Sequence, residues 1–216
     1  VYRRLRSPLG TSSVPYNAAR SYVWLPSAAS GDIRMNRKED TAHIYMGGNA
    51  GKTEIDAGLM HNPGKDNWSL FLKGGGSCKP AISMRFKSNQ HVYLVFEVLA
   101  NGKVGVGVDG YFMDGTYGTN WCIVSAYDWR YDGVNNRIKR VTSIAQKQNK
   151  YDPNSGSYIR GVEWNDVLIG STSKTPDTIH SWGSKDTKVN CVYPSTAKVY
   201  VDFRAHDHEI LTLDLR

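Results

Sequence analysis

Residues 92–108 read Val92-Tyr-Leu-Val-Phe-Glu-Val-Leu-Ala-Asn101-Gly102-Lys-Val-Gly-Val-Gly-Val108. Two runs of apolar and alternating residues flank an Asn-Gly pair. That pair is a strong hairpin signal, because a type I′ turn needs positive φ at both central residues and Asn and Gly tolerate it. The stretch therefore predicts two antiparallel strands, 91–100 and 103–108. In the first, His91, Tyr93 and Glu97 alternate with Val92, Leu94, Phe96 and Val98, so one face is apolar and the other polar.

The same texture extends outward from the hairpin. Short alternating or apolar runs punctuated by Gly, Asn and Asp predict further strands over 21–25, 41–46, 53–60, 68–73, 81–87, 123–129, 136–146, 162–169 and 198–213. Only residues 137–150 hold enough helix-compatible residues to compete with a strand. The expected fold class is all-β, a two-sheet antiparallel sandwich. Residues 1–216 are expected to form a single domain. Residues 1–20, rich in Arg, Ser, Pro and Gly and carrying Arg3, Arg4 and Arg6, are expected to form an extended basic N-terminal arm that is merely solvated.

Composition narrows the class. The 216 residues carry 27 Lys plus Arg against 20 Asp plus Glu, a formal charge of +7, with 13 Tyr and 6 Trp, and this aromatic content excludes a disordered chain. The longest nearly apolar stretch, 92–100, is interrupted by Glu97 and falls short of the roughly 18–20 residues that span a bilayer. The chain starts at Val1 without a charged and apolar leader, which fits a processed, secreted protein. Cys78, Cys122 and Cys191 match no zinc spacing; one disulfide with a spare thiol and three buried thiols are both open. Oligomeric state is not readable.

The hairpin followed by Val108-Asp109-Gly110 resembles the central hairpin of concanavalin A-like jelly rolls, the sandwich shared by legume-type lectins, β-glucanases and alginate-lyase-like enzymes. The resemblance implies a carbohydrate ligand on the concave sheet. It concerns architecture and rests on no diagnostic motif. The last strand of alginate-lyase-like jelly rolls carries a Tyr-x-Lys pattern, whereas here the stretch reads Lys198-Val-Tyr-Val-Asp-Phe-Arg204, similar in residue type and different in order.

That stretch continues to Ala205-His206-Asp207-His208. As a regular strand it would place Val199, Val201, Phe203 and Ala205 on one face and Lys198, Tyr200, Asp202, Arg204, His206 and His208 on the other. Arg can clamp a carboxylate, His can move a proton near neutral pH, and Tyr can serve as an acid. β-Elimination of a uronate polymer needs these three roles. The expected catalytic set is Arg204 and Arg85 to neutralise the carboxylate, His206 or His91 as base and Tyr200 as acid. Lys198, Tyr93, Lys87, Trp129 and Tyr131 are expected to bind substrate. Convergence of these strands on one groove is a hypothesis.

Other chemistries fit less well. Lys52-Thr-Glu54-Ile-Asp56 resembles the first part of the Glu-Ile-Asp-x-x-Glu strand of β-glucanases, but Leu59 stands where the second Glu belongs, so the carboxylate pair of a retaining hydrolase is incomplete. His43 and Tyr45 share one strand face. His206 and His208 have a spacing that metal sites use, yet no third ligand is identifiable, and no metal is assigned. Asp and Asn near 128–136 and 152–154 could hold a structural Ca²⁺, although turn chemistry explains them. G-x-S-x-G, P-loop and H-E-x-x-H motifs are missing. Nucleic acid ranks behind sugar because no OB or RRM signature accompanies the aromatics. The sequence thus points to a secreted protein acting on anionic polysaccharide as a lyase without a cofactor, with a non-catalytic lectin-like carbohydrate-binding module as the alternative.

Overall fold

The computed structural model describes residues 1–76, 78, 81–147 and 151–216. Its strands are β1 (Tyr2–Arg6), β2 (Ala18–Leu25), β3 (Ile33–Arg34), β4 (Thr41–Ala50), β5 (Thr53–Asn62), β6 (Asn67–Lys73), β7 (Phe86–Lys87), β8 (Gln90–Ala100), β9 (Lys103–Tyr111), β10 (Tyr117–Ser125), β11 (Asn136–Ala145), β12 (Tyr158–Gly170), β13 (His180–Ser181), β14 (Val189–Tyr193), β15 (Val199–Arg204) and β16 (Glu209–Asp214). They build two antiparallel sheets. The first has the order β14-β1-β11-β4-β5-β6-β7, and the second β10-β9-β8-β2-β12-β16-β15 with β3 and β13 also pairing β12. The two sheets pack as a sandwich, as expected from the alternating runs.

Alternation decides which side each residue faces. Ala42, Ile44 and Met46 of β4 and Val92, Leu94, Phe96 and Val98 of β8 are buried between the sheets, together with Trp68, Trp129, Trp164 and Trp182. The hairpin at Asn101-Gly102 forms, with Gly102 at φ +74°. The helix-compatible stretch is strand β11 up to Ala145, because its alternate residues Ile138 and Ile144 fill the core; residues 148–150 lie outside the described residues.

The N-terminal arm is a correction. Residues 2–6 are β1, an interior strand between β14 and β11. Leu5 points into the core and Arg3 is 2% exposed, its guanidinium donating to both carboxylate oxygens of Glu209 at 2.6–3.1 Å. Glu209 also accepts from Arg140 at 3.1 Å, and Arg140 lies 5.5 Å from the Trp164 ring centroid. The basic cluster is partly an interior charge network, because the carboxylate that neutralises Arg3 is 206 residues away in the chain.

A disulfide joins Cys78 to Cys122, and Cys191 is a free thiol. No helix is long and apolar enough to cross a membrane among the described residues.

Candidate functional site

The residues expected to form one groove do not meet. His91 and Tyr93 lie on β8 and Tyr200 and Arg204 on β15, with β2, β12 and β16 between them. Four interstrand steps amount to about 19 Å. Arg85 precedes β7 and Lys87 lies on it, at an edge of the other sheet. Trp129 is fully buried against Phe96, so it cannot stack on a ligand. Tyr131 is exposed in the loop before β11, where its N–H donates to Asn101. Lys198 closes a short 3₁₀ turn before β15, and its ammonium donates to the Arg216 carbonyl.

The polar row on β15 is also not continuous. A bulge between Val201 and Phe203 shifts the register, so Phe203 is opposite Ile210 and 49% exposed instead of buried. One extra residue in a strand turns every following side chain to the opposite face. His206 falls in the turn between β15 and β16, and its carbonyl accepts from Arg140. What does converge on this face is His91 of the expected set with two residues outside it: His91 and His208 both contact the Glu163 carboxylate, at 3.2 and 3.0 Å.

The outer face of the first sheet carries a denser cluster. Because Ala42, Ile44 and Met46 face the core, His43, Tyr45 and Gly47 face outward on β4. Ladder pairing sets their neighbours. Tyr193, Tyr2, Ser143, His43 and Met60 lie on one row across β14, β1, β11, β4 and β5. Arg4, Val141, Tyr45, Gly58 and Phe71 form the next row, and Lys139, Gly47, Asp56 and Lys73 the one after.

Glycine makes this arrangement possible. Gly47 has φ +147°, and a Cβ there would lie 2.0 Å from the Ile55 carbonyl oxygen. With no side chain between β11 and β5, the Lys139 ammonium reaches across to Asp56 at 2.6 Å while donating to Glu54 at 2.6 Å. At Gly58 a Cβ would meet the Tyr45 backbone, and the Tyr45 and Phe71 rings meet edge to face over it with centroids 5.8 Å apart. Phe71 also contacts His43, centroid to centroid 5.1 Å.

His43, Tyr45, Asp56, Phe71, Lys73, Ser143 and Ala145 line a depression of about 140 Å³. The His43 Nδ1–H donates to the Thr41 carbonyl at 3.1 Å, which assigns the ring proton to that nitrogen and leaves Nε2 as the lone-pair atom. Burial is the main cause that pushes the imidazole pKa below its ordinary value; Lys73 adds to this and the Asp56 carboxylate partly offsets it. The ring is therefore neutral at pH 7. Tyr45 keeps its phenolic proton even more firmly than an ordinary tyrosine, first because it is buried and then because Asp56 and Glu54 are near, and it is hydrogen-bonded to Ser143. Lys139, itself 6% exposed, holds Glu54 ionised through its hydrogen bond. The site thus combines a neutral base, an ionised carboxylate, hydroxyl donors and an exposed ammonium on Lys73, a set suited to acid–base hydrolysis.

The signal for this site was present in the sequence. The runs 41–50 and 53–62 are separated only by Gly51-Lys52, a hairpin length that forces β4 against β5 and brings His43 and Tyr45 beside the Glu54 and Asp56 strand. No group of three or more His, Cys, Asp or Glu that could hold a metal ion is found among the described residues. The Asp128 and Asp132 carboxylates, considered for Ca²⁺, instead accept from Lys52 N, Thr53 Oγ1, Arg130 and Val134 N.

Fold and site together define a two-sheet sandwich with a polar, basic and aromatic cleft on one outer face. Among solved structures, the chain is similar over 99% of its length to SCP-B, a member of the Eqolisin family of peptidases in a complex with the tripeptide Ala-Ile-His, with 97% of that chain covered, 7% identity and a TM-score of 0.57. Scytalido-glutamic peptidase bound to a peptide-based transition state analog matches equally, with 99% and 97% covered, 7% identity and TM-score 0.57. At this identity the likeness establishes the sandwich fold alone. No family model and no curated protein matches the chain. An alginate lyase from Aplysia kurodai overlaps with 63% of the chain at a TM-score of 0.30, too low to carry an argument. The expectation of a polysaccharide lyase or lectin-like module is overturned: the full-length correspondence is to peptidase structures, and the residues assigned to uronate chemistry are dispersed.

Proposed function

We propose that the protein is a peptide-bond hydrolase whose active site is the His43–Asp56 cleft on the outer face of the first sheet. The observation that carries this reading is a neutral imidazole, fixed through Nδ1 and lining the same depression as a carboxylate and an ammonium. The peptides bound in the two structures of the same fold support peptide as the substrate class. No catalytic residue is transferred from them; the roles below come from this chain's own chemistry.

In this reading His43 Nε2 takes a proton from a water molecule as its oxygen attacks the scissile carbonyl carbon. The negative charge developing on the carbonyl oxygen is met by the Lys73 ammonium and by the Tyr45 hydroxyl, which stays protonated throughout. Asp56 stabilises the imidazolium so formed. As the tetrahedral species collapses, the C–N bond breaks and His43 returns the proton to the departing amine, leaving the imidazole neutral again. The disulfide supports action in an oxidising compartment, in keeping with secretion.

The test is incubation of the full chain with a mixed peptide library from about pH 3 to 8, with new termini read by mass spectrometry. Cleavage that falls at least about a hundredfold in His43→Gln is expected. An uncleaved library across that range, or a His43→Gln variant as active as the parent, overturns the proposal.

A further inference from the structure

Beside the cleft lies a second depression of about 420 Å³, lined among others by Tyr2, Tyr151, Tyr193 and Lys147. It shares Tyr45, Ser143 and Ala145 with the His43–Asp56 depression, so the two adjoin across these residues. Three of its walls are tyrosine rings held against each other. Tyr2 and Tyr193 are stacked, with centroids 5.5 Å apart and planes 18° apart, and Tyr151 is 6.1 Å from Tyr193. Tyr193 is 47% and Tyr151 44% exposed. Rings that serve only the core are buried as Trp68 and Trp129 are; Tyr151 and Tyr193 instead stay exposed beside the His43 cluster.

Spacing assigns the occupant. Tyr193, Tyr2, Ser143 and His43 occupy one row of the ladder, so Tyr2 lies two strands from His43 and Tyr193 three. At about 4.8 Å per strand these separations are about 10 and 14 Å. An extended peptide places alternate side chains about 6.7 Å apart on one face. The side chain two residues from a bond held at His43, with its own reach added, therefore meets the tyrosine walls. An aromatic side chain gains there by offset or edge-to-face ring contact in addition to area buried, while an alanine leaves the depression empty.

Resting on the peptidase reading, we infer that the Tyr2–Tyr151–Tyr193 depression is a specificity subsite for an aromatic side chain two residues from the scissile bond. Gln146 beside it is fixed by Asp40 and Asp152, so this wall is preformed. Tyr2 and Tyr193 are directly opposite in register on β1 and β14, which brings their rings into the stack.

The experiment has a cleavage arm and a binding arm, both on the full chain. In the first, library cleavage products are sorted by residue two positions from the cut. Phe, Tyr and Trp are expected to exceed Ala by about tenfold in kcat/KM, and the Tyr151→Ala, Tyr193→Ala double variant is expected to reduce that ratio below about twofold. In the second, binding of the peptides Ala-Ala-Phe-Ala-Ala and Ala-Ala-Ala-Ala-Ala to a His43→Gln chain is compared by NMR titration. The Phe peptide is expected to bind about tenfold tighter, with shifts at the Tyr193 and Tyr151 rings, and to lose the advantage in the double variant. Cleavage without aromatic preference, or a preference that survives the double variant, overturns the subsite and leaves the peptidase reading standing. Selective Phe-peptide binding with no cleavage by the parent chain overturns the peptidase reading and leaves the subsite standing. Equal binding of both peptides removes the subsite.

Discussion

His43 is the residue on which the proposed chemistry turns, and its environment fixes the direction of its titration. Burial disfavours the imidazolium and Lys73 repels it, whereas Asp56 attracts it. The ring should therefore titrate below its ordinary value of 6.5, as read from its ring-proton NMR shift. Asp56→Asn should move the midpoint further down, because the attraction of that carboxylate for the imidazolium is lost, and Lys73→Met should move it up. A parent midpoint at or above 6.5, or shifts of the opposite sign, would refute this electrostatic account. The acid limb of kcat/KM should follow the same order, since the neutral ring is the base in the proposed hydrolysis. Linkage gives a second consequence. The folded-state pKa lies below the unfolded one, so the unfolded chain binds more protons at acid pH, and this contribution to stability is full above about 6.5 and is lost as pH falls toward the folded-state value. His61, 2% exposed beside Asp66, has its pKa lowered by burial in the same way and adds to the loss.

At the scale of the element, the cleft depends on strands that carry glycine where neighbours must reach over them. Gly47→Ala places a Cβ against the Ile55 carbonyl at a backbone angle that L-residues rarely adopt. A loss of about 2–3 kcal/mol is expected from urea unfolding, together with loss of the Lys139 to Asp56 contact. Unchanged stability would mean that β4 can flatten at no cost. The same scale explains what could be read in advance. The hairpin at Asn101-Gly102 was legible because its turn chemistry is local, and the apolar face of β8 was legible because alternation is local. The bulge in β15 was not, since Val201-Asp202-Phe203 alternates perfectly in sequence and only pairing with β16 shows the slipped register. The interior position of β1 was not legible for a related reason: Tyr2-Arg-Arg-Leu-Arg6 shows one apolar residue, and the partner that allows Arg3 to be buried lies on the last strand. His43, Tyr45, Glu54 and Asp56 were each visible as residues; their assembly into a site was a matter of strand pairing.

For the whole molecule, the decisive feature is that the sheets are joined through charge as well as through apolar packing. Arg3 and Arg140 belong to the first sheet, Glu209 to the second, and all three are at most 2% exposed. Arg3 also donates to Asn190, and Arg140 to the His206 carbonyl at 3.2 Å, so most of the donors around the carboxylate are used. Burial lowers the pKa of Arg140, and Glu209 counters that shift. A buried ionic group of this kind contributes little net stability compared with well-packed apolar residues, but removing its central carboxylate strands two guanidinium groups in a dry interior. Glu209→Gln should therefore cost about 3–5 kcal/mol in urea unfolding, insensitive to added salt because the network is shielded from solvent. Replacing all three at once, Arg3→Met, Glu209→Leu and Arg140→Met, should recover most of that loss. A Glu209→Gln loss below about 1 kcal/mol would show that water enters the sandwich at this point, and a triple variant as unstable as the single one would show that the network fixes how the sheets sit on each other and does more than neutralise buried charge.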